Sequence, residues 1–333
     1  MNSTDTSNDR PRIGLITNPH SRRNRDGLAI VETRVSAQGN IDHVITQSAA
    51  DIAVALRRFA EQGVGVVAIN GGDGTTAQVF GALLGDDSPF EAPPAVVLLP
   101  GGTTNMNAAD VGLRGKLKTA IDRLCRWSNG EPLPVEHLSR PILRIDGAVG
   151  QGPLYGMFFG AGSIIIGGIE HCTSQVHRMG ITDEIGPGVT LLRAVWGILR
   201  GDPQFAAPIT VQIRTEGQRE ATQKQLAVLL VTSLERLFLG IHPWWGQEAQ
   251  ALHSTWIEKS APGLVRRLAG LLRGKPGAGA TAENGYFSHN VRQLELDMDA
   301  SFTIDGERYQ ASREQGPVRI ATGGHIEFLR IGS

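Results

Sequence analysis

Cysteine is nearly absent: Cys125 and Cys172 are the only two in 333 residues. They stand 47 positions apart without a CxxC spacing, which excludes a local thiolate zinc site and a disulfide framework, and a cytoplasmic setting is expected. Charge of one sign is also lacking. The 32 Lys and Arg residues face 33 Asp and Glu, a net charge of -1, so the basic surface of a nucleic-acid binder is not expected. Long apolar runs are scarce. Gly147 to Ile169 carries no charge over 23 residues, but eight are glycine and Gln151 and Pro153 interrupt the rest, which predicts buried strands and a turn rather than a membrane span. Residues 1–11 are polar and lack the apolar core of an export signal, so a disordered tail is expected there.

Several catalytic devices are missing as well. Both Gly-Lys pairs, at 115–116 and 274–275, are followed by Leu and Pro, so no P-loop is present. No GxGxxG follows a strand, no GxSxG elbow occurs, and none of the nine histidines forms HExxH. P-loop hydrolases, nicotinamide dehydrogenases, serine hydrolases and zinc proteases are therefore disfavoured.

Glycine, at 42 residues, is what the chain has in plenty, and its placement is informative. Residues 12 to about 130 alternate short β-type runs with helical patterns. Strands are predicted at Arg12–Thr17, Ile41–Thr46, Gly65–Ile69 and Ala95–Leu99. Helices are predicted at Asn24–Gln38, closed by Gly39, after Ser48, and from about Thr76 to Leu84. The second helix has the clearest signature: Ser48 with Asp51 forms a capping pattern, Ile52, Leu56, Phe59 and Ala60 recur at helical spacing, and Gly63 suits its end. Near-continuous apolar strands between helices imply a parallel sheet covered on both faces, a doubly wound α/β domain over 12–132. From 133 to 333 β-type runs joined by glycine turns dominate, at Ile142–Ile145, Met157–Ile166, Ile209–Arg214, Gln225–Thr232, Leu294–Ile304 and Val318–Leu329. A mainly antiparallel β-sandwich domain is expected, its last segment returning to the first domain.

The chemistry concentrates in three loops after strands. Asn70-Gly71-Gly72-Asp73-Gly74-Thr75-Thr76 lies between an apolar strand and a helix, where glycines let amides close on phosphate oxygens. Asp73 would repel bare phosphate, so it suggests a nucleotide accompanied by a metal; the alternative is a glycine turn with an N-capping Asp. Pro100-Gly101-Gly102-Thr103-Thr104-Asn105 follows the next strand, and Asn18-Pro19-His20-Ser21-Arg22-Arg23, with Arg25, follows the first. Ligands of open α/β sheets bind at this end of the strands.

NPxS after the first strand, GGDGT after the third, GTTN after the fourth and a late Asp305-Gly306-Glu307 together resemble the diacylglycerol kinase catalytic family, which includes bacterial lipid kinases and sphingosine kinases. The order of motifs extends from about Arg12 to Ile331. The resemblance implies an ATP site, with magnesium, in a cleft between an N-terminal nucleotide domain and a C-terminal β-sandwich. It further implies that Asn18, Ser21, Thr46, Gly71, Gly72, Asp73, Gly74, Thr75 and Thr103 line ATP. Glu307 would be the general base, with Asp305 and Asp73 in the catalytic set. By itself, the alternation around Asp305-Gly306 reads as a hairpin turn.

Two departures accompany the resemblance. The second loop continues Asn105-Met106-Asn107-Ala108-Ala109 instead of Asn-Asp-Phe-Ala-Arg. The family's DGxLD-type magnesium motif corresponds to Trp244–Trp256, which contains no aspartate and has Glu248 as its sole carboxylate. The expected activity is ATP-dependent phosphorylation of a lipid hydroxyl; the rivals are a kinase of a soluble alcohol or of NAD, and a catalytically impaired nucleotide- or lipid-binding protein. Two basic amphipathic helices, Val189–Arg200 and Leu264–Lys275, contain no acidic residue and suggest peripheral contact with an anionic membrane surface, though packing on the β domain would give the same stripe.

Overall fold

The computed structural model describes residues 11–102, 105–162, 165, 208–216, 222–237 and 240–332. The chain divides into two compact units, one formed by residues up to Arg140 with His325–Ser333, the other by Pro141–Gly324.

The first unit alternates strand and helix: β1 Ile13–Thr17, α1 Arg22–Val35, β2 Ile41–Ile45, α2 Ala49–Glu61, β3 Val66–Gly71, α3 Asp73–Leu84 and β4 Ala95–Pro100. Then come α4 Met106–Val111, α5 Leu117–Ser128 and the first half of β5 Val135–Asp146. The end of β15 Val318–Ile331 completes it. The strands lie in the order β15-β4-β3-β1-β2, and all four pairings in that row are parallel. β1 connects to β2 on one side and is flanked by β3 on the other, so the winding direction reverses between β1 and β3. One face is sealed by α1 and α5, whose Val31, Val35, Ile121 and Leu124 pack on Ile13, Leu15, Ala68 and Val97. Toward the other face, Phe80 of α3 meets Phe328 of β15 edge-on, with centroids 5.9 Å apart. α2 forms where local chemistry demands it: Ser48 and Asp51 make a reciprocal capping box, and Ile52, Ala55, Leu56 and Phe59 are buried. Full burial of Leu56 and Phe59 contributes about 1.5–3 kcal/mol each.

The second unit is built from antiparallel strands. Besides the second half of β5 it contains β6 Leu154–Gly156, β7 Phe158–Ala161, β8 Ile209–Thr215, β9 Thr222–Thr232 and β10 Leu252–Glu258. These are followed by α6 Leu264–Leu271, β11 Tyr286–Val291, β12 Gln293–Met298, β13 Ala300–Ile304, β14 Glu307–Ala311 and the first part of β15. The order is β14-β13-β7-β9-β8-β12-β15, with β10 on β9 and β11 on β10. β9 is long enough to pair with β8 through Thr222–Leu226 and to lie between β7 and β10 farther along. Phe159 and Phe302 stack at 5.1 Å within the core that also holds Leu229, Val231, Leu294 and Leu296. This is the doubly wound plus antiparallel β architecture expected from the patterning.

Some boundaries differ from expectation. α1 starts at Arg22 and ends at Val35 with Ser36 as its C-cap, so Gly39 does not close it. α3 starts at Asp73, three residues before the expected Thr76, with Gly72 as its N-cap. The run Leu294–Ile304 is two strands, because the chain breaks at Asp299, whose carboxylate accepts the Arg313 N–H at 2.9 Å. The expected strand Met157–Ile166 ends at Ala161. Nothing in the patterning predicts β10 or β11. From Gly147 to Gly162 the uncharged stretch is turn and strand, and no helix among the described residues is long and apolar enough to cross a membrane. The expected helix at Val189–Arg200 lies outside the described residues.

Candidate functional site

In the first unit, the carboxyl ends of β1, β3 and β4 carry three loops that hydrogen-bond to one another. Asn18 N–H donates to the Asn70 carbonyl at 3.0 Å, and Asn18 Nδ2 donates to Thr75 Oγ1 at 2.8 Å. Ser21 Oγ accepts the Gly72 N–H at 3.1 Å. Asn24, fully buried in α1, donates through Nδ2 to the Asn18 carbonyl at 2.7 Å and the Asn70 carbonyl at 2.9 Å, fastening the first loop to the second. Arg23 reaches the third loop, its N–H donating to Gly101 O at 3.2 Å. In that loop Asn105 adopts a left-handed φ of 47° and its side chain exchanges hydrogen bonds with Gly102 N–H and O at 2.7 and 2.8 Å.

The second and third loops touch backbone to backbone. A Cβ on Gly102 would stand 2.6 Å from the Cα of Gly72, so any side chain there would force the loops apart. No side chain caps α3, and its first ladder bond is Thr76 N–H to Gly72 O at 3.0 Å. The amides of its first turn therefore face the end of the sheet without an intrahelical acceptor, where an anion is favoured. α1 also lacks a capping side chain, and its first turn carries Arg22 and Arg23 with no acid. Cations at a helix N-terminus oppose the helix dipole, and an anion held there would relieve that opposition.

Asp73 connects two of these elements. Its carboxylate oxygens accept the N–H groups of Met106 and Asn107, each at 3.1 Å, which caps the first turn of α4. Burial raises its pKa to about 6, and the two amide bonds act against that rise. The alternative of an N-capping Asp73 is not realised at α3, where Gly72 is the N-cap and Asp73 occupies the first helical position.

Asn18, Ser21, Gly71, Gly72, Asp73, Gly74 and Thr75 thus share one constellation. Thr46 is buried just beyond β2, where its N–H donates to Thr17 O at 2.9 Å, and among the described residues its Oγ1 has no partner and no bond links it to the three loops. Thr103 lies outside the described residues. One contributor, Asn24, was not singled out from the sequence, and Asn105 and Arg23 were read there only as members of their loops. Asn24 left no separate signal, because at the first position of the predicted helix Asn24–Gln38 an Asn reads as an ordinary N-cap.

Asp305 and Glu307 belong to the second unit. Asp305 and Gly306 have φ values of 48° and 91°, the two positive angles of a tight hairpin turn between β13 and β14. Asp305 is only 5% exposed, and its carboxylate accepts Met157 N–H at 3.1 Å and Phe158 N–H at 2.9 Å, while its own N–H donates to Phe158 O. This geometry makes Asp305 the anchor of the turn. Glu307 stands exposed one residue past the turn. Burial, then the charges of Glu307 and Asp305, push up the pKa of the Tyr309 phenol.

The magnesium motif implied for the second domain does not fit the residues present. Glu248 accepts from His289 and from the backbone of Asn290, and among the described residues no three His, Cys, Asp or Glu side chains are grouped to hold an ion.

Residues 12–132 match the family model described as the diacylglycerol kinase catalytic domain. A candidate diacylglycerol kinase from Bacillus anthracis str. Sterne is similar in structure, with a TM-score of 0.62 at 17% identity over 96% of this chain and 97% of that one. A diacylglycerol kinase from the same strain has a TM-score of 0.58, also at 17% identity and the same coverage. At this identity the likeness concerns the fold. No curated protein matches the chain.

Proposed function

We propose, from the premise that residues 12–132 carry a kinase catalytic domain of the diacylglycerol kinase type, that the protein transfers the γ-phosphoryl group of ATP to the hydroxyl of a lipid or related amphiphile. The observation that carries this reading is the cradle of three interlocked loops at the carboxyl ends of β1, β3 and β4, flanking the point where the winding reverses. There the free amides of α3, the Asn18 and Ser21 side chains and the arginines of α1 suit the polyphosphate of MgATP, which enters as the substrate. Asp73, with both oxygens on the amides of Met106 and Asn107, holds α4 and the third loop in place. In transfer, the acceptor oxygen forms a bond to the γ-phosphorus while the bond to the β,γ-bridging oxygen breaks. The family resemblance assigns acceptance of the acceptor proton to Glu307, a residue of the second unit whose exposed carboxylate follows the turn anchored by Asp305.

A lipid acceptor requires access to a bilayer surface. From Lys259 to Ala282 the chain has five cations and no carboxylate. Leu271 is buried and Leu264 packs beside it against Ile257, Ala261 and Tyr286, so the leucine face of α6 is turned into the protein. Arg266, Arg273 and Lys275 remain exposed, together with Val265 at 40%. Contact with an anionic surface would then be electrostatic, at about 1 kcal/mol per cation, rather than by insertion of leucines.

Labelled ATP supplied with a lipid extract, NAD and sugar alcohols should yield labelled lipid. Label confined to NAD or a sugar alcohol would indicate a soluble-substrate kinase. Nucleotide binding with no transfer at all would indicate a binding protein.

A further inference from the structure

The segment leading into β10 is fastened to β11 at unusually many points. Ser288 Oγ accepts the N–H groups of Trp245 at 2.8 Å and Gly246 at 3.1 Å. Asn290 Nδ2 donates to the carbonyls of Glu248 at 2.8 Å and Gly246 at 3.3 Å. The Glu248 carboxylate closes the arrangement, one oxygen accepting Asn290 N–H at 2.8 Å and the other accepting His289 Nδ1 at 2.7 Å. Farther on, His253 Nδ1 meets Asn290 Oδ1 at 2.8 Å, and the His253 ring stacks on Trp244 at 4.8 Å with the planes 8° apart. Gly246 lies so close that a Cβ would stand 2.8 Å from Asn290 N.

We infer that this Glu248–His289–Asn290 clamp does the ordering that a bound cation would otherwise do for the segment, and that the segment holds no divalent cation of its own. Magnesium favours octahedral coordination by oxygen, mostly carboxylate and water. The segment's sole carboxylate already uses both oxygens on protein donors, and the neighbouring His253 Nδ1 is taken by Asn290. The clamp also holds Glu248 ionised without a metal. Its burial acts to raise the pKa, but hydrogen bonds from Asn290 N–H and His289 outweigh that and bring it to about 2. The inference concerns nucleotide-free protein and stands apart from the proposed kinase activity.

Thermal unfolding of the full chain, followed by tryptophan fluorescence without nucleotide, tests it. Trp244, Trp245 and Trp256 all lie in or beside the clamp. Tm is expected to agree within about 1 °C between EDTA and millimolar magnesium. Glu248→Gln and Asn290→Ala should each lower Tm by roughly 2–4 °C, equally in both buffers. A lower Tm in EDTA would overturn the inference. So would calorimetric magnesium binding to wild type that Glu248→Gln abolishes, or an unchanged Tm in both variants. Should a variant not fold, the wild-type comparison of EDTA with magnesium and the wild-type titration still decide.

Discussion

Replacing Asp73 by asparagine removes a titrating group while keeping its shape, and the structure sets both the sign and the size of the result. The folded-state pKa is about 6, above the ordinary aspartate value of 3.8. The folded protein therefore binds this proton more tightly than the unfolded chain. The stability that protonation adds is fully present below about 3.8 and is lost as pH rises through about 6. With these values the group makes wild type about 1 kcal/mol more stable at pH 5 than at pH 7. Asp73→Asn should lack that increment, so urea unfolding at the two pH values should show a wild-type-minus-variant difference about 1 kcal/mol larger at pH 5. Turnover should move the opposite way. A protonated carboxyl loses acceptor capacity for the amides of Met106 and Asn107, so wild-type kcat should fall about tenfold per pH unit below 6 and level off above it. Identical pH dependence of stability in wild type and variant would refute the assignment of the raised pKa to Asp73.

Glu307→Gln should lower kcat by roughly 10² to 10⁴ at unchanged nucleotide affinity and Tm, because the exposed carboxylate is lost only from proton transfer; a fall in Tm matching the fall in activity would make it a plain hairpin residue. Asp305→Ala leaves Met157 and Phe158 N–H without their acceptor and keeps a left-handed φ, so chemical denaturation should show a loss of about 2–4 kcal/mol, and a neutral result would contradict the anchoring role. Gly102→Ala should abolish measurable nucleotide binding by spreading the two glycine loops, whereas Gly39→Ala, with nothing within 4 Å, should bind normally in the same titration. Sedimentation with phosphatidylserine vesicles but not phosphatidylcholine vesicles is expected, weakened by high salt and by Arg266→Glu with Arg273→Glu; equal binding to both vesicle types would exclude the electrostatic contact.

What could be read from the sequence was local. The Ser48–Asp51 box needs only four residues to announce α2, and Asp305-Gly306 announces its turn by the backbone angles that the pair tolerates. Apolar runs before glycine loops marked β3 and β4, and so the position of the cradle. Boundaries failed where a distant partner decided them. α3 reaches back to Asp73 because that carboxylate is occupied 33 and 34 residues away, at Met106 and Asn107. The run from Leu294 breaks at Asp299 because Arg313 claims its side chain. β10 and β11 gain definition from each other, and nothing in either stretch alone shows that pairing. Within the site, Asn24 and Asn105 act through backbone groups, which residue type does not advertise.

β15 also bears on how the molecule is made. Its last residues flank β4, with Phe328 opposite Val96, while Arg330 bonds to Glu136 and to the Asp110 carbonyl. On the ribosome, β4 emerges long before its neighbour, because all of Pro141–Gly324 must be synthesised first. At about 5–20 residues per second the wait is roughly ten to forty seconds. For that interval the nascent first unit carries an open parallel edge ending at an unfilled place beside Phe80. Holding that edge apart from other chains until Phe328 arrives is a task for whatever greets the polypeptide at the exit tunnel.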